Sequence, residues 1–370
     1  MAFSAKTVIL VALLAPFPVL TACKPTTSTA APDRAAAERG DAAAQNHLGL
    51  IYDKERDYAQ AVSWYRKAAE QGLAAAQFNL GQMYYTGHGV AQDYTQAVSW
   101  YRKPAEHGYA VAQYNLGVMY QRGLGVAKDN MQAVFWYRSA AEQGIAQAQD
   151  ALGLMYYKGQ GVIQDNTQAI SWFRKAAEQG YAHAQYDLGW MYDKGQGVSQ
   201  DYAQAVSWYR KAAEQGDTYG QVSLGWMYET GHGVAKDYTQ ALFWFHKAAE
   251  QGFAMAQYNL GQAYLMGQGV TQDYTQAVFW WRKAAEQGNT DAQYNLGLAY
   301  LNGQGVTRDY TQSVSWFRKA AEQGYATAQS NLGEMYRKGQ GVPKDEAQAK
   351  AWFRKAAAQG NTDAQKALEK

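Results

Sequence analysis

Nine tryptophans, Trp64, Trp100, Trp136, Trp172, Trp208, Trp244, Trp280, Trp316 and Trp352, are spaced 36 residues apart without exception. A fixed period of this length belongs to small units that cannot bury their own apolar faces and must stack on one another. The 370 residues therefore read as one long array rather than two or three ordinary domains.

Each unit reads as two helices. In "AQYNLGVMY" (Ala112–Tyr120), Ala112, Leu116, Met119 and Tyr120 share one helical face. Gly117 sits in mid-helix, where glycine costs about 1 kcal/mol relative to alanine. Its return in nearly every copy predicts a neighbouring helix packed too close for a Cβ. Gly123 in "RGLGV" predicts a left-handed helix end. The second helix opens on a repeated Asp-x-x-Gln, as at Asp129/Gln132 and Asp201/Gln204. This spacing predicts a capping box, with the carboxylate accepting from free N–H groups and the glutamine reaching back. Ala133, Trp136 and Ala140 are expected to line the buried face, with the tryptophan ladder as core, and "AAEQG" closes the helix at Gly144.

The repeated Leu-Gly-x-x-Tyr, Gly-x-Gly-Val, Asp-x-x-x-Ala and Trp-x-x-x-Ala-Ala-x-x-Gly resemble the Sel-one-like repeat family, relatives of the tetratricopeptide repeat. The resemblance covers roughly Gly40 to the C-terminus. It implies an all-α fold, a right-handed α-solenoid of about nine two-helix repeats within 33–370. The first copy, "GLIYDKERDYAQAV", lacks Gly-x-Gly-Val and is expected to turn like a plain tetratricopeptide repeat. Pro104 replaces alanine in a second helix and is expected to kink or loosen it. Arg66 and Glu70 are four apart and expected to pair weakly on a solvated face.

Framework residues are shared by all copies, so an individual site must use the positions that change. On the first helix of one unit these are His183, Tyr186, Trp190 and Asp193, which lie on one stripe at steps of three, four and three. In tetratricopeptide-like solenoids that stripe lines the concave groove. The next unit places Tyr219, Val222, Trp226 and Glu229 there. Trp190 and Trp226 occupy a slot that holds Gln82, Val118, Leu154, Gln262, Leu298 and Glu334 elsewhere, so the framework does not require tryptophan. With Tyr157, Tyr186 and Tyr219 they are expected to form an aromatic floor, with Asp193 and Glu229 nearby, in a groove that also holds His183 and Tyr258, for a protein or peptide partner.

The N-terminus supplies an address. "MAFSAK" is positively charged, "TVILVALLAPFPVL" is a short apolar run, and "LTAC" places small residues before Cys23, the only cysteine. This is the layout of an export signal over 1–22, and Leu20-Thr21-Ala22-Cys23 resembles the bacterial lipobox. That resemblance implies lipidation of Cys23, attachment to a membrane through lipid only, and, with Lys24 following, an outer-membrane lipoprotein facing the periplasm or the cell surface. Residues 23–32 read as a flexible tether.

Little other chemistry is written in the chain. Lys+Arg 34 against Asp+Glu 32 leaves a net charge of +2, which argues against nucleic acid as a partner. The six histidines form no metal-ligand pair, and His88 and His232 read as loop surface. The Gly-x-Gly loops follow helices and lack the Lys-Ser/Thr of a phosphate loop. No metal or cofactor is expected. One branch of the resembling family is linked to penicillin binding and β-lactamase activity, but it is disulfide-rich, and no Ser-x-x-Lys occurs here. The expectation is a monomeric, non-enzymatic interaction scaffold in a bacterial envelope. An immunity protein against a secreted lipase-type toxin is the alternative, and a cell-wall or β-lactam-acting enzyme comes third.

Overall fold

The computed structural model describes residues 30–369, with side chains from Arg34 onward. Cys23, the 1–22 signal and most of the 23–32 tether lie outside the described residues. Among the described residues there are twenty helices and no strand. They fall into two compact units, one ending at Gln164 and one starting at Asp165.

The first unit holds α1 (Ala30–Glu38), α2 (Ala42–Lys54), α3 (Tyr58–Glu70), α4 (Ala74–Thr86), α5 (Tyr94–Glu106), α6 (Ala110–Arg122), α7 (Asn130–Glu142) and α8 (Ala146–Lys158). The second holds α9 (Asn166–Glu178), α10 (Ala182–Lys194), α11 (Tyr202–Glu214), α12 (Thr218–Thr230), α13 (Tyr238–Glu250) and α14 (Ala254–Met266). It continues with α15 (Tyr274–Glu286), α16 (Thr290–Asn302), α17 (Tyr310–Glu322), α18 (Ala326–Lys338), α19 (Glu346–Ala358) and α20 (Thr362–Leu368). Even-numbered helices from α2 are the first helices of repeats, odd-numbered ones from α3 the second. Each packs on its neighbours in the chain within its unit, which is the all-α solenoid class. The start of α1 at Ala30 is three residues ahead of the boundary expected at 33.

The caps hold the helix starts. Asp93 accepts from the N–H groups of Thr95 and Gln96 at 2.9 and 3.0 Å, and Asp201 accepts from Gln204 N–H at 3.0 Å. The glutamine half of the box is not needed, because the cap's own N–H is already satisfied: Asp93 donates to Tyr84 O and Asp201 to Tyr192 O. First helices end as expected, with Gly123 left-handed at φ 71. The second loop glycine has a different reason to be glycine, since a Cβ on Gly233 would run into the Tyr202 carbonyl at the start of the preceding second helix. The first repeat does turn differently. Only Glu55 to Asp57 separate α2 from α3, with Arg56 at φ 64. Pro104 leaves α5 the same 13-residue length as its neighbours.

The core corrects the tryptophan ladder in part: Trp280 and Trp316 are buried, and the other seven are half-buried. Trp208 is half-buried, and the fully buried ring is the next residue, Tyr209. Tyr65, Tyr101, Tyr137, Phe173, Tyr209, Phe245 and Phe317 fill the same place. Neighbours in sequence point about 100° apart on a helix, so only one can face its own repeat's first helix. The tryptophan instead covers the joint between repeats. Trp100 packs on the cluster of α3 and α4, and Trp244 on that of α11 and α12. Its outer face is topped by a lysine, as with Lys211 Nζ at 3.9 Å from the Trp208 centroid. The arginine beside it is equally engaged: Arg66 donates to the Tyr84 hydroxyl at 2.9 Å and Arg210 to that of Tyr228 at 2.8 Å. The face is therefore a set of cation–ring and arginine–tyrosine contacts rather than merely solvated.

A buried glutamine in each first helix from α2 to α18 adds a polar seam. Gln185 donates to Ala177 O at 3.1 Å, adding a side-chain donor to a carbonyl at the end of α9 that already accepts from Gly180 N–H. Its own oxygen accepts from Gln215 of the following second helix at 2.7 Å. The pairs Gln221–Gln251, Gln257–Gln287 and Gln293–Gln323 repeat this at 2.8 to 2.9 Å.

Two outcomes are expected in urea titrations. Tyr209→Ala destabilises by about 3–5 kcal/mol, as for a large aromatic removed from a core, and Trp208→Ala costs less. A larger loss for Trp208→Ala contradicts the division of labour between the rings. Asp201→Ala costs about 1 kcal/mol through its lost cap, with faster hydrogen exchange at the start of α11.

Candidate partner-binding face

The changeable positions of the second unit meet on α10 and α12, which pack directly against each other. Trp190 and Trp226 are half-buried at equivalent positions on these helices and rest on the cluster that includes Tyr186, Val206 and Leu224. Beneath them runs a row of rings. Tyr186 stacks 5.8 Å from Tyr209 and lies 5.4 Å from Tyr219, which meets Phe253 edge-on at 4.9 Å.

Two residues expected on the surface lie under it. Tyr186 is 7% exposed and Asp193 5%. Tyr186 is wedged between Tyr209 and Tyr219, and its hydroxyl is held well above the ordinary tyrosine range by burial and by the charges of Asp187 and Asp217. Asp193 is no open rim carboxylate. It pairs with Lys194 Nζ at 2.8 Å and lies 3.5 Å from the Tyr209 hydroxyl. Both support the face rather than present it.

His183, half-buried, sits 3.4 Å from the Asp187 carboxylate and 6.3 Å from the Tyr186 ring. Glu229 is partly buried on α12, and Tyr258 on α14 packs instead against the Ala277–Ala299 cluster. Tyr157 belongs to the first unit, where it is half-buried and its carbonyl accepts from Gln164 at 2.9 Å.

Reading the sequence alone missed two neighbours of Trp226. Lys194 Nζ lies 5.7 Å from its ring, and His232 lies 5.1 Å from it while stacking on Tyr202 at 4.7 Å. His232 is thus a half-buried aromatic spacer and not plain loop surface. The signal was its departure from glutamine in the Gly-x-Gly loop. The result is a half-open aromatic surface with one cation held against it. Stacking and apolar burial are the chemistry it offers.

A solenoid with variable first-helix positions defines a class of helical-repeat interaction proteins, and the comparisons name the family. The Sel1 repeat model matches residues 42–73 and then eight successive units from 74–109 to 326–361. The chain belongs to the Sel1 repeat family. It is 42% identical to a protective antigen of uropathogenic Escherichia coli displaying an SLR fold, with a TM-score of 0.70, covering 92% of this chain and 82% of that one. A Sel1 repeat protein from Oxalobacter formigenes is 39% identical, with a TM-score of 0.64, covering 83% of this chain and 89% of that one. Comparison with curated proteins gives no significant match. Sel1 repeat proteins are generally protein-interaction scaffolds and typically non-enzymatic. Among the described residues no helix is long and apolar enough to cross a membrane.

Glu229 yields a pH prediction. Burial raises its carboxyl above the ordinary range, with the Lys236 charge opposing. The folded chain therefore holds that proton more readily than the unfolded chain. The group favours folding at low pH, and this contribution is lost as pH rises through its folded pKa. Glu229→Gln is expected to flatten the decline in stability from the acid side of the carboxylate range to neutrality, measured by denaturation at a series of pH values. An unchanged profile contradicts the buried position of the carboxylate.

Proposed function

We propose that this protein is an exported, lipid-anchored scaffold that holds a protein or peptide partner against the first-helix face of α10 and α12. The observation that carries the reading is the pair Trp190 and Trp226, large half-buried rings in adjoining helices, in a slot that other repeats fill with Gln82 or Gln262. Indoles fixed on a packed aromatic bed lose little freedom on binding and bury much area, which is the make-up of an interface hot spot. The rows beneath, Tyr186 and Tyr219, keep them in place without competing for the partner.

The envelope address rests on the export signal and on Cys23 as its lipidated residue. A relative described as a protective antigen suits a chain that leaves the cytoplasm. Anchoring leaves the repeats free to meet soluble or membrane-bound partners while limiting their search to one compartment.

Cross-linking in intact envelopes tests the reading. Trp190→Ala and Trp226→Ala are each expected to weaken partner capture by about 2 kcal/mol while hardly moving the melting temperature. Capture that survives both changes, or a melting loss equal to that of Tyr209→Ala, makes the indoles packing residues. Cys23→Ser is expected to release the chain from membranes or leave the precursor unprocessed, and unchanged membrane fractionation and processing end the lipoprotein assignment. A captured secreted toxin whose activity is blocked would recast the scaffold as an immunity protein.

A further inference from the structure

The outward ridges of α13 and α15 carry an aromatic strip for which the framework has no use. The residue before the repeated tryptophan is Ser63, Ser99, Ser171, Ser207 or Ser315 in five repeats, Phe135 in one repeat of the first unit and Ala351 in the last, but Phe243 and Phe279 in two successive ones. Each phenylalanine is 47% exposed. Neither is needed to cover the indole beside it, since Trp316, next to Ser315, is as well buried as Trp280, next to Phe279.

The rings are continuous across the two helices. Phe243 meets Trp244 edge-on at 5.0 Å, and Phe279 meets Trp280 edge-on at 5.1 Å. His246 stands where the neighbouring repeats carry Arg210 and Arg282, and it reaches Trp280 at 5.7 Å, joining α13 to α15. Lys247 Nζ lies 5.4 Å from the Phe243 centroid and Lys283 Nζ 4.6 Å from that of Phe279. Each exposed ring is thus paired with an exposed cation on the next turn of its own helix.

We propose that this strip is a second docking surface, separate from the first-helix face, for an acidic protein segment carrying apolar side chains between its carboxylates. The carboxylates pair with Lys247 and Lys283, and the apolar side chains cover Phe243 and Phe279. Charge complementarity selects this occupant over an anionic membrane. Glu250, 3.4 Å from His246, and Glu286 are exposed at the ends of the same helices and would face a bilayer across a broad contact, whereas a narrow segment can lie along the Phe243–Lys247 and Phe279–Lys283 pairs.

Fluorescence anisotropy of the mature chain tests this with labelled peptides of alternating Asp/Glu and Phe/Leu, and with counterparts in which Lys replaces the acids. Phe243→Ser with Phe279→Ser restores the residue that other repeats carry and leaves the fold intact. The acidic peptides are expected to bind, to weaken with added salt, and to lose about tenfold or more in affinity in the double serine variant. The lysine counterparts are expected not to bind, and Trp190→Ala with Trp226→Ala to leave acidic-peptide binding unchanged, which separates this strip from the first-helix face. Equal binding of acidic and basic peptides, no binding of the acidic set, or binding indifferent to the serine changes overturns the proposal. So does sedimentation showing a dimer that the serine changes dissolve, or binding to phosphatidylglycerol vesicles that they abolish without any acidic-peptide binding.

Discussion

In both units the repeats depend on an aromatic ring laid against a glycine in the middle of the first helix. A Cβ on Gly189 would stand 2.8 Å from Cδ1 of Tyr209, and one on Gly225 would stand 2.6 Å from Cε1 of Phe245. Real side chains do not approach that closely, so the helix gives up the alanine preference of about 1 kcal/mol to let the ring in. The contact fixes the distance between the two helices of a repeat and the rotation of the second about its own axis. That rotation turns Trp208 away from its own first helix, as Trp244 turns onto the joint of α11 and α12. The glutamine seam follows from the same geometry, because it brings the last carbonyls of one second helix within reach of Gln185 or Gln221.

With the framework placed in this way, Trp190 and Trp226 rest on the core beside the ring-on-glycine contact, in a slot that other repeats fill with Gln82, Val118 or Leu154. The stripe is nevertheless not uniform. Its inner members, Tyr186 and Asp193, are absorbed into the packing of Tyr209, while the outer members keep some surface. A stripe four residues long on a helix covers an arc wide enough for its edges to reach the core. The proposed binding surface and its support are thus written in one helical face.

Much of the fold was legible because repetition averages away the ambiguity of any one helix. The period, the Asp caps, the close approach at Gly117 and the short turn before Asp57 all followed from spacing and residue type. The identity of the core ring did not. Trp208 and Tyr209 are adjacent, equally repeated and both aromatic, and only the helix rotation set by Gly189 separates them. The reach of Arg210 to Tyr228 and of Gln215 to Gln185 was hidden for another reason. Those contacts join residues 18 and 30 apart, where no helical periodicity links them. At the candidate site, the stripe was legible as a list, but burial of Asp193 and the arrival of His232 beside Trp226 depend on side-chain directions and loop placement that composition does not record.

The most direct test of this account is the stability of Gly189→Ala, followed by urea titration alone and combined with Tyr209→Leu. Helix propensity alone makes the single change stabilising by about 1 kcal/mol. The ring contact makes it destabilising, because the buried Tyr209 has no room to move and the Ala205 carbonyl lies 3.3 Å from the added carbon on the other side. The account predicts a loss of stability that the second change, by removing the ring, partly relieves. A gain in the single variant, or simple additivity of the two changes, would contradict the ring-on-glycine contact as the constraint that sets the repeat.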